Sequence, residues 1–327
     1  MDARHDEPAA VPRTVRRLTD AALRERPLPH PGERADKEAR GQVLVIAGSR
    51  EIPGAALLAA TGALRAGAGK LAVATAASVA IPLAMALPEA RVIGLEETAA
   101  GGLAVSGVAQ LAELAPRLAA VVIGPGMLDE EATVAFVRAL LPHLAGCTVV
   151  LDAYAMSVVL QGGGTRLSPN VVLTPHAGEM AHLTGRPKDG LAADSLQAAL
   201  TAAREWNACV ALKGAETAVA LPDGTLWLHQ GGDAGLATSG SGDTLAGFIG
   251  GLAARGVGAL DAALWGIRLH ALAGEALARR HGPLGYLARE LAGEVPNVMH
   301  TLCSPPDSVA ANGAGRDLGP VAAGDAP

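Results

Sequence analysis

From residue 41 onward the chain repeats one pattern: a short apolar run, a glycine or proline, then a longer stretch rich in Ala and Leu. Eight runs have the length of strands: Val43–Ala47, Leu71–Thr75, Ala120–Gly124, Thr148–Asp152, Val171–Thr174, Ala208–Lys213, Thr217–Leu221 and Leu226–His229. Helices are predicted at about Gly54–Ala66, Ser78–Leu87, Asp129–Leu144, Ala177–Thr184, Asp194–Trp206, Asp243–Ala254, Asp261–His281 and Leu284–Leu302. Strands that are apolar throughout and alternate with helices predict a mostly parallel sheet covered on both faces. Pro222-Asp223-Gly224-Thr225, between the last two runs, is a hairpin signal, so the sheet is expected to have an antiparallel edge.

Before this pattern, residues 1–40 are charged and punctuated by Pro27, Pro29 and Pro31. They read as an N-terminal arm with room for one short helix around Arg16–Arg26. Residues 41–302 read as a single domain. Residues 303–327 hold too few large apolar side chains to pack and read as a disordered tail.

Composition narrows the picture. Half of the 327 residues are hydrophobic but only 2% are aromatic, so Ala, Leu and Val must build the core. The 26 basic and 32 acidic residues give a net charge of −6 with no basic block, which argues against a nucleic-acid partner. Cys147, Cys209 and Cys303 are odd in number and form no CxxC pair; a reducing cytoplasm fits them better than a disulfide framework. The start of the chain has no apolar stretch of the signal-peptide kind. Leu71–Pro88 is uncharged, but it is broken by Pro82 and too weakly apolar for a membrane span.

Candidate chemistry gathers in the loops that follow the strands. Gly231–Gly247, GGDAGLATSGSGDTLAG, runs through Ser239-Gly240-Ser241-Gly242 into Asp243 and a helix. Glycines ahead of a helix leave backbone N–H groups unshielded where the helix dipole is positive, which makes an anion site. Asp243 would then stand where a hydroxyl attacking a phosphate loses its proton. The same residues also fit a plain turn whose Asp caps the helix, and the dipole would keep such a carboxylate ionised and a poor base. Lys213-Gly214-Ala215-Glu216-Thr217 joins two strands and could hold phosphates, or be a solvated turn. His176, in Thr174-Pro175-His176-Ala177-Gly178-Glu179, could bond a substrate amide, or the segment could simply start a helix. Gly124-Pro125-Gly126 and Asp152 end strands, and Pro53-Gly54-Ala55-Ala56 opens a helix. The GxxxxGK[ST] and GxGxxG nucleotide fingerprints are both absent. In open α/β sheets ligands lie beyond the carboxyl ends of strands, and these loops share that edge. The residues themselves lead to nucleotide-dependent phosphotransfer.

The ordered set Gly41-x-Val-Leu-Val-Ile-Ala-Gly-Ser49, Pro53-Gly54-Ala55-Ala56, Ile123-Gly124-Pro125-Gly126, Leu151-Asp152-Ala153, Leu173-Thr174-Pro175-His176-x-Gly178-Glu179, Leu212-Lys213-Gly214-x-x-Thr217 and Gly240-x-Gly242-Asp243-x-Leu245-x-Gly247 resembles the ADP-dependent NAD(P)H-hydrate dehydratases. The resemblance covers about residues 14–300. It implies a ribokinase-like three-layer α/β/α fold with a mostly parallel sheet. It also implies that Ala55, Gly126, His176 and Asp243 line the hydrated nicotinamide site, with Asp243 catalytic. Lys213, Gly214, Ala215, Glu216, Thr217 and Gly242 would hold the adenine nucleotide. In that family ADP, with Mg²⁺, phosphorylates the hydroxyl of the S hydrate of NADH or NADPH, and phosphate then leaves to restore the dihydronicotinamide. A homo-oligomer, tetrameric in the family, and a separate epimerase acting on the same substrate are further implications. Tyr154, where relatives carry a small or acidic residue, and Ser239, where glycine is common, depart from the pattern. An ATP-dependent kinase of a vitamin precursor or sugar, and a non-catalytic nucleotide-binding regulator, are the competing readings.

Overall fold

The computed structural model describes residues 14–30, 36–38, 40–160 and 166–304. The chain opens with β1 (Val15–Arg17), α1 (Asp20–Arg24), β2 (Gln42–Ile46), α2 (Pro53–Arg65), β3 (Lys70–Ala76), α3 (Ala77–Ala86), β4 (Ala90–Leu95) and α4 (Val108–Ala112). It continues through β5 (Ala120–Ile123), α5 (Glu130–Leu140), β6 (Thr148–Leu151), β7 (Val171–Leu173), α6 (Ala177–Thr184), α7 (Lys188–Ala193) and α8 (Ser195–Trp206). Last come β8 (Cys209–Leu212), β9 (Glu216–Ala220), β10 (Leu226–Gln230), α9 (Ser241–Ala254), α10 (Ala259–His281) and α11 (Ala288–Cys303).

The strands form one ten-stranded sheet in the order β1-β10-β9-β8-β7-β6-β5-β2-β3-β4. Side chains alternate across it. Val43, Val45, Val122 and Val150 face α2, α9, α10 and α11, while Leu44, Ile46, Val121, Ile123 and Leu151 face α4, α5 and α8. That is the expected three-layer α/β/α arrangement. The antiparallel element differs in place: β9 alone is reversed, pairing antiparallel with both β8 and β10, and it lies inside the sheet. β1 covers that edge, parallel to β10.

Thus Val15–Arg17, expected to begin a helix, is a strand, and the helix occupies only Asp20–Arg24. Nothing in a three-residue Arg-rich run announces this. The cause is tertiary: the backbone pairs with Leu226–Leu228, and the Arg16 guanidinium lies 5.6 Å from the Trp227 ring centre. β4 was also not expected, because Arg91 and Gly94 interrupt its apolar pattern; as an edge strand it leaves those residues exposed. Of the tail expected at 303–327, Cys303 closes α11 instead, and residues 305–327 lie outside the described residues.

Two packing features set up the carboxyl edge of the sheet. Successive strands run in opposite directions along the sheet order on either side of β2, so a crevice opens between β2 and β5. Across it α9 lies directly on α2. Gly247 and Gly251 face the backbone of Ala59 and Ala63, so closely that a methyl on either glycine would meet it. Small residues at this seam bring the N-terminus of α9 down to the strand ends.

Candidate active site

Five strand-end loops and the start of α9 converge. The loop after β2 is pinned to the one after β5, with Gly48 N donating to Pro125 O at 2.7 Å. Gly126 takes a left-handed φ of 64° and packs on α2; a side chain there would come within 2.5 Å of the Ala55 methyl. The ends of β7 and β8 are joined by a backbone bridge between His176 and Lys213, with Lys213 N donating to Pro175 O at 2.8 Å.

Asp152, at the end of β6, is 4% exposed. Its Oδ1 accepts from Thr174 Oγ1 at 2.6 Å and from Lys213 Nζ at 3.1 Å. Glu179 Oε2 stands 4.0 Å from the same ammonium. Burial works against the Lys213 charge, but Asp152 and Glu179 outweigh it and hold its pKa above the ordinary value. Glu179 is pushed up, chiefly by burial.

His176 caps α6. Its Nδ1 accepts from Gly178 N at 2.9 Å and Glu179 N at 3.1 Å, while its backbone N–H donates to Glu179 Oε2 at 2.8 Å. With Nδ1 occupied as an acceptor, the neutral tautomer carries its proton on Nε2, which stands 3.6 Å from Glu179 Oε2. The residue lines both cavities described below. Helix-starting and substrate-bonding, set against each other from sequence, are therefore compatible roles for the one side chain.

Helix α9 is different. It begins after Gly240, at φ 86°, with no side-chain cap, and Asp243 sits in its first turn. Asp243 is not the capping residue that one reading expected. Nor is it held ionised: burial first, and the Asp152 charge second, push its carboxyl up to about 7, against the pull of Lys213. The expectation of a dipole-suppressed base is corrected, because removing the carboxyl from water outweighs a partial dipole charge. A carboxyl titrating near neutrality is suited to take a proton.

Two cavities meet at this point. One, of about 850 Å³, is lined by Lys213, Gly214, Ala215, Thr217, His229, Gly231–Ala234, Leu236–Thr238, Ser241, Gly242 and His270. The other, of about 670 Å³, is lined by Ile52, Gly126–Leu128, Ala153, Tyr154, Glu179 and Asp243. His176 lines both, and the consecutive residues Gly242 and Asp243 face one each. Of the sequence-predicted residues, two stand back from the cavities. Ala55 is buried beneath Gly126, and Glu216 is an exposed strand residue bonded to Gln230.

Sequence reasoning left His229 and His270 as structural, yet both line the larger cavity. His270 Nε2 lies 2.9 Å from Ser241 Oγ and anchors the first residue of α9. Burial pushes both imidazoles down to about 4, so they are neutral at pH 7. His229 Nε2 is buried with no partner among the described residues. No motif signals either histidine; only the return of β10 and α10 to the strand-end edge does. Among the described residues no cluster of three or more His, Cys, Asp or Glu side chains could hold a metal ion, and no helix is long and apolar enough to cross a membrane.

The model of the NAD(P)H-hydrate dehydratase family matches residues 43–297. The chain is 52% identical over 288 residues to the ADP-dependent (S)-NAD(P)H-hydrate dehydratase of Xanthomonas campestris, covering 88% of this chain and 97% of that one. It is 38% identical to the bifunctional NAD(P)H-hydrate repair enzyme of Moorella thermoacetica, covering 92% of this chain but spanning only 57% of that protein. Among solved structures, the ADP/ATP-dependent NAD(P)H-hydrate dehydratase of Bacillus subtilis, co-crystallised with ATP and Mg²⁺, superposes with a TM-score of 0.77 at 34% identity, covering 88% of this chain and 99% of that one. A ribokinase-like superfamily protein of Enterococcus faecalis gives 0.76 at 25% identity, covering 89% and 97%.

Proposed function

The chain belongs to the NAD(P)H-hydrate dehydratase family, and from that premise we propose that it returns the S hydrate of NADH or NADPH to the dinucleotide at the expense of ADP. The observation that carries the assignment of roles is the division at the start of α9: Gly242 faces the larger cavity and Asp243 the smaller. The nucleotide occupies the first, over Lys213–Thr217, and the hydrated ring the second, beside Gly126 and His176.

The chemistry follows from the charges. Asp243 takes the proton of the ring hydroxyl as its oxygen attacks the β-phosphorus of ADP, and AMP leaves. Lys213 and the amides opening α9 bear on the transferring phosphoryl group, where positioning and electrostatics supply the rate. The ring nitrogen lone pair then expels phosphate, and loss of a proton from the adjacent carbon restores the double bond. The water lost by the hydrate ends in the phosphate, so dehydration is coupled to ADP cleavage. His176 Nε2–H, on the border of the two cavities, donates to the substrate carboxamide or the leaving oxygen.

Mg²⁺ fits this donor set as a phosphate-borne ion. Asp233 lines the nucleotide cavity and Asp152 and Glu179 stand at Lys213 on its border, and one or two carboxylates plus phosphates would suffice to hold Mg²⁺. When bound it offsets phosphate charge. An epimerase that supplies the S form from the R form is the activity this reaction calls for. A cytoplasmic setting agrees with Cys147, Cys209 and Cys303 all being free thiols. The homo-oligomer of the same reading is supported by Ile81 and Met85 on α3, 77% and 81% exposed, an apolar surface of the kind a second copy covers.

The test is recovery of the near-ultraviolet absorbance of NADH from its hydrate by purified protein, with ADP and ATP in parallel. Recovery is expected with ADP. Formation of a stable phosphate ester of some other alcohol, with no recovery from hydrate, would favour the kinase reading instead.

A further inference from the structure

The sequence holds seven aromatic side chains. Six are buried: Trp206, Trp227, Trp265, Phe136, Phe248 and Tyr286 are at most 5% exposed. Tyr154 is 42% exposed and lines the cavity that Asp243 faces. A protein this poor in aromatics uses the others for its core and leaves this one open in its site.

The backbone holds Tyr154 there. Ala153 has φ 48°, a left-handed conformation rare for a residue with a β-carbon. Strain of this kind persists where the surroundings over-determine it, and it collects at ligand sites. Here the surroundings are explicit. Asp152 is fixed by Thr174 and Lys213, and Gly124 packs so tightly under Asp152 that even a methyl would collide with its carbonyl. The chain must therefore turn sharply at Ala153, and the next side chain is delivered to the cavity. Met127 and Leu128 add apolar wall to the same cavity.

On these grounds, and resting on the dehydratase reading, we propose that Tyr154 is a stacking platform for a flat nitrogen heterocycle of the hydrated dinucleotide. An aromatic face offers a base a large contact with little rotamer entropy to lose. The two rings that qualify are the reacting nicotinamide ring and the adenine.

Tyr154→Ala is expected to raise KM for NADH hydrate about tenfold while Tyr154→Phe stays within about twofold of wild type. kcat and KM for ADP should not move, and thermal unfolding should be unchanged because the ring supports no core. The hydrate of the reduced nicotinamide mononucleotide, assayed alongside, separates the two rings. A rise with both substrates assigns the stack to nicotinamide, and a rise with the dinucleotide alone assigns it to adenine. An unchanged KM for NADH hydrate in Tyr154→Ala, or an equal rise in KM for ADP, overturns the proposal. If the wild-type protein turns over no hydrate, the dehydratase reading fails by itself. Equilibrium dialysis with NADH then decides the stack: about tenfold weaker retention by Tyr154→Ala sustains it, and equal retention overturns it.

Discussion

Replacing Gly247 by Ala probes how the fold places Asp243, the proposed base. In an isolated helix this change would be favourable by about 1 kcal/mol, since Ala restricts the unfolded chain and shields the backbone. Here the new methyl would run into the carbonyl oxygen of Ala59 and lie 2.8 Å from its Cα and carbonyl carbon. Carbon atoms pack at about 3.5–4.0 Å, so α9 must move off α2 by roughly 0.7 Å or more. Neither partner can rotate away, because both are helix backbone. Overpacking of this kind costs about 1–3 kcal/mol and outweighs the gain in propensity. A net loss of about 1–2 kcal/mol is expected in urea unfolding. The displacement also reaches Asp243, one turn earlier on the same helix. A misplacement approaching 1 Å is worth up to about a hundredfold in rate, so kcat is expected to fall by about tenfold to a hundredfold. Gly190→Ala is the control: it lies in helix α7 with open space around it and should be neutral or slightly stabilising, with full activity. If Gly247→Ala matches wild type in both stability and kcat, the close seam does not position Asp243 and the reasoning is wrong.

Three further outcomes follow from the site. With its carboxyl near 7, Asp243 should give an ascending limb in the pH dependence of kcat; Asp152→Asn removes the largest cause after burial and should move that midpoint down by about one pH unit, whereas an unmoved midpoint would contradict the coupling. The same carboxyl has its folded pKa raised above the ordinary 3.8, so its contribution to stability is present below about pH 4 and lost as pH rises through about 7. Asp243→Asn should therefore gain about 2 kcal/mol over wild type in urea at pH 8 and little at pH 4, half the ceiling that such a rise sets because Lys213 loses a counter-charge. His176→Asn should keep the α6 cap and normal stability while losing about tenfold in kcat or more, and His176→Ala should lose about 1 kcal/mol as well; equal stability of the two would remove the capping role.

Most of the layered fold is legible in the chain because its strands are apolar throughout and its helices start and stop at local signals. Pro53 opens α2, the His176–Glu179 capping box opens α6, and Gly185 ends it. The misplaced parts are those that tertiary contacts decide. β1 is a strand only because β10 is there to pair with, and β9 is internal because β10 pairs along its outer side. In the site, the glycine-rich approach to α9 and the Lys213 turn could be read from residue types. The protonation of Asp243 could not, since its burial and its distance from Asp152 are properties of chain segments far apart in sequence. Nor could the recruitment of His229 and His270, or the strain at Ala153 that delivers Tyr154 to the smaller cavity. Tyr154 appeared in the sequence only as a departure from the family pattern.

In the proposed reaction, ADP cleavage and dehydration are coupled through Asp243. This coupling is tested most directly by counting AMP, inorganic phosphate and NADH formed together from ADP and NADH hydrate. Equal amounts of all three are expected with the wild-type protein, and none of them above background with Asp243→Asn although that variant still binds ADP. NADH appearing without AMP, or AMP and phosphate appearing at equal rates whether or not hydrate is present, would contradict the coupling.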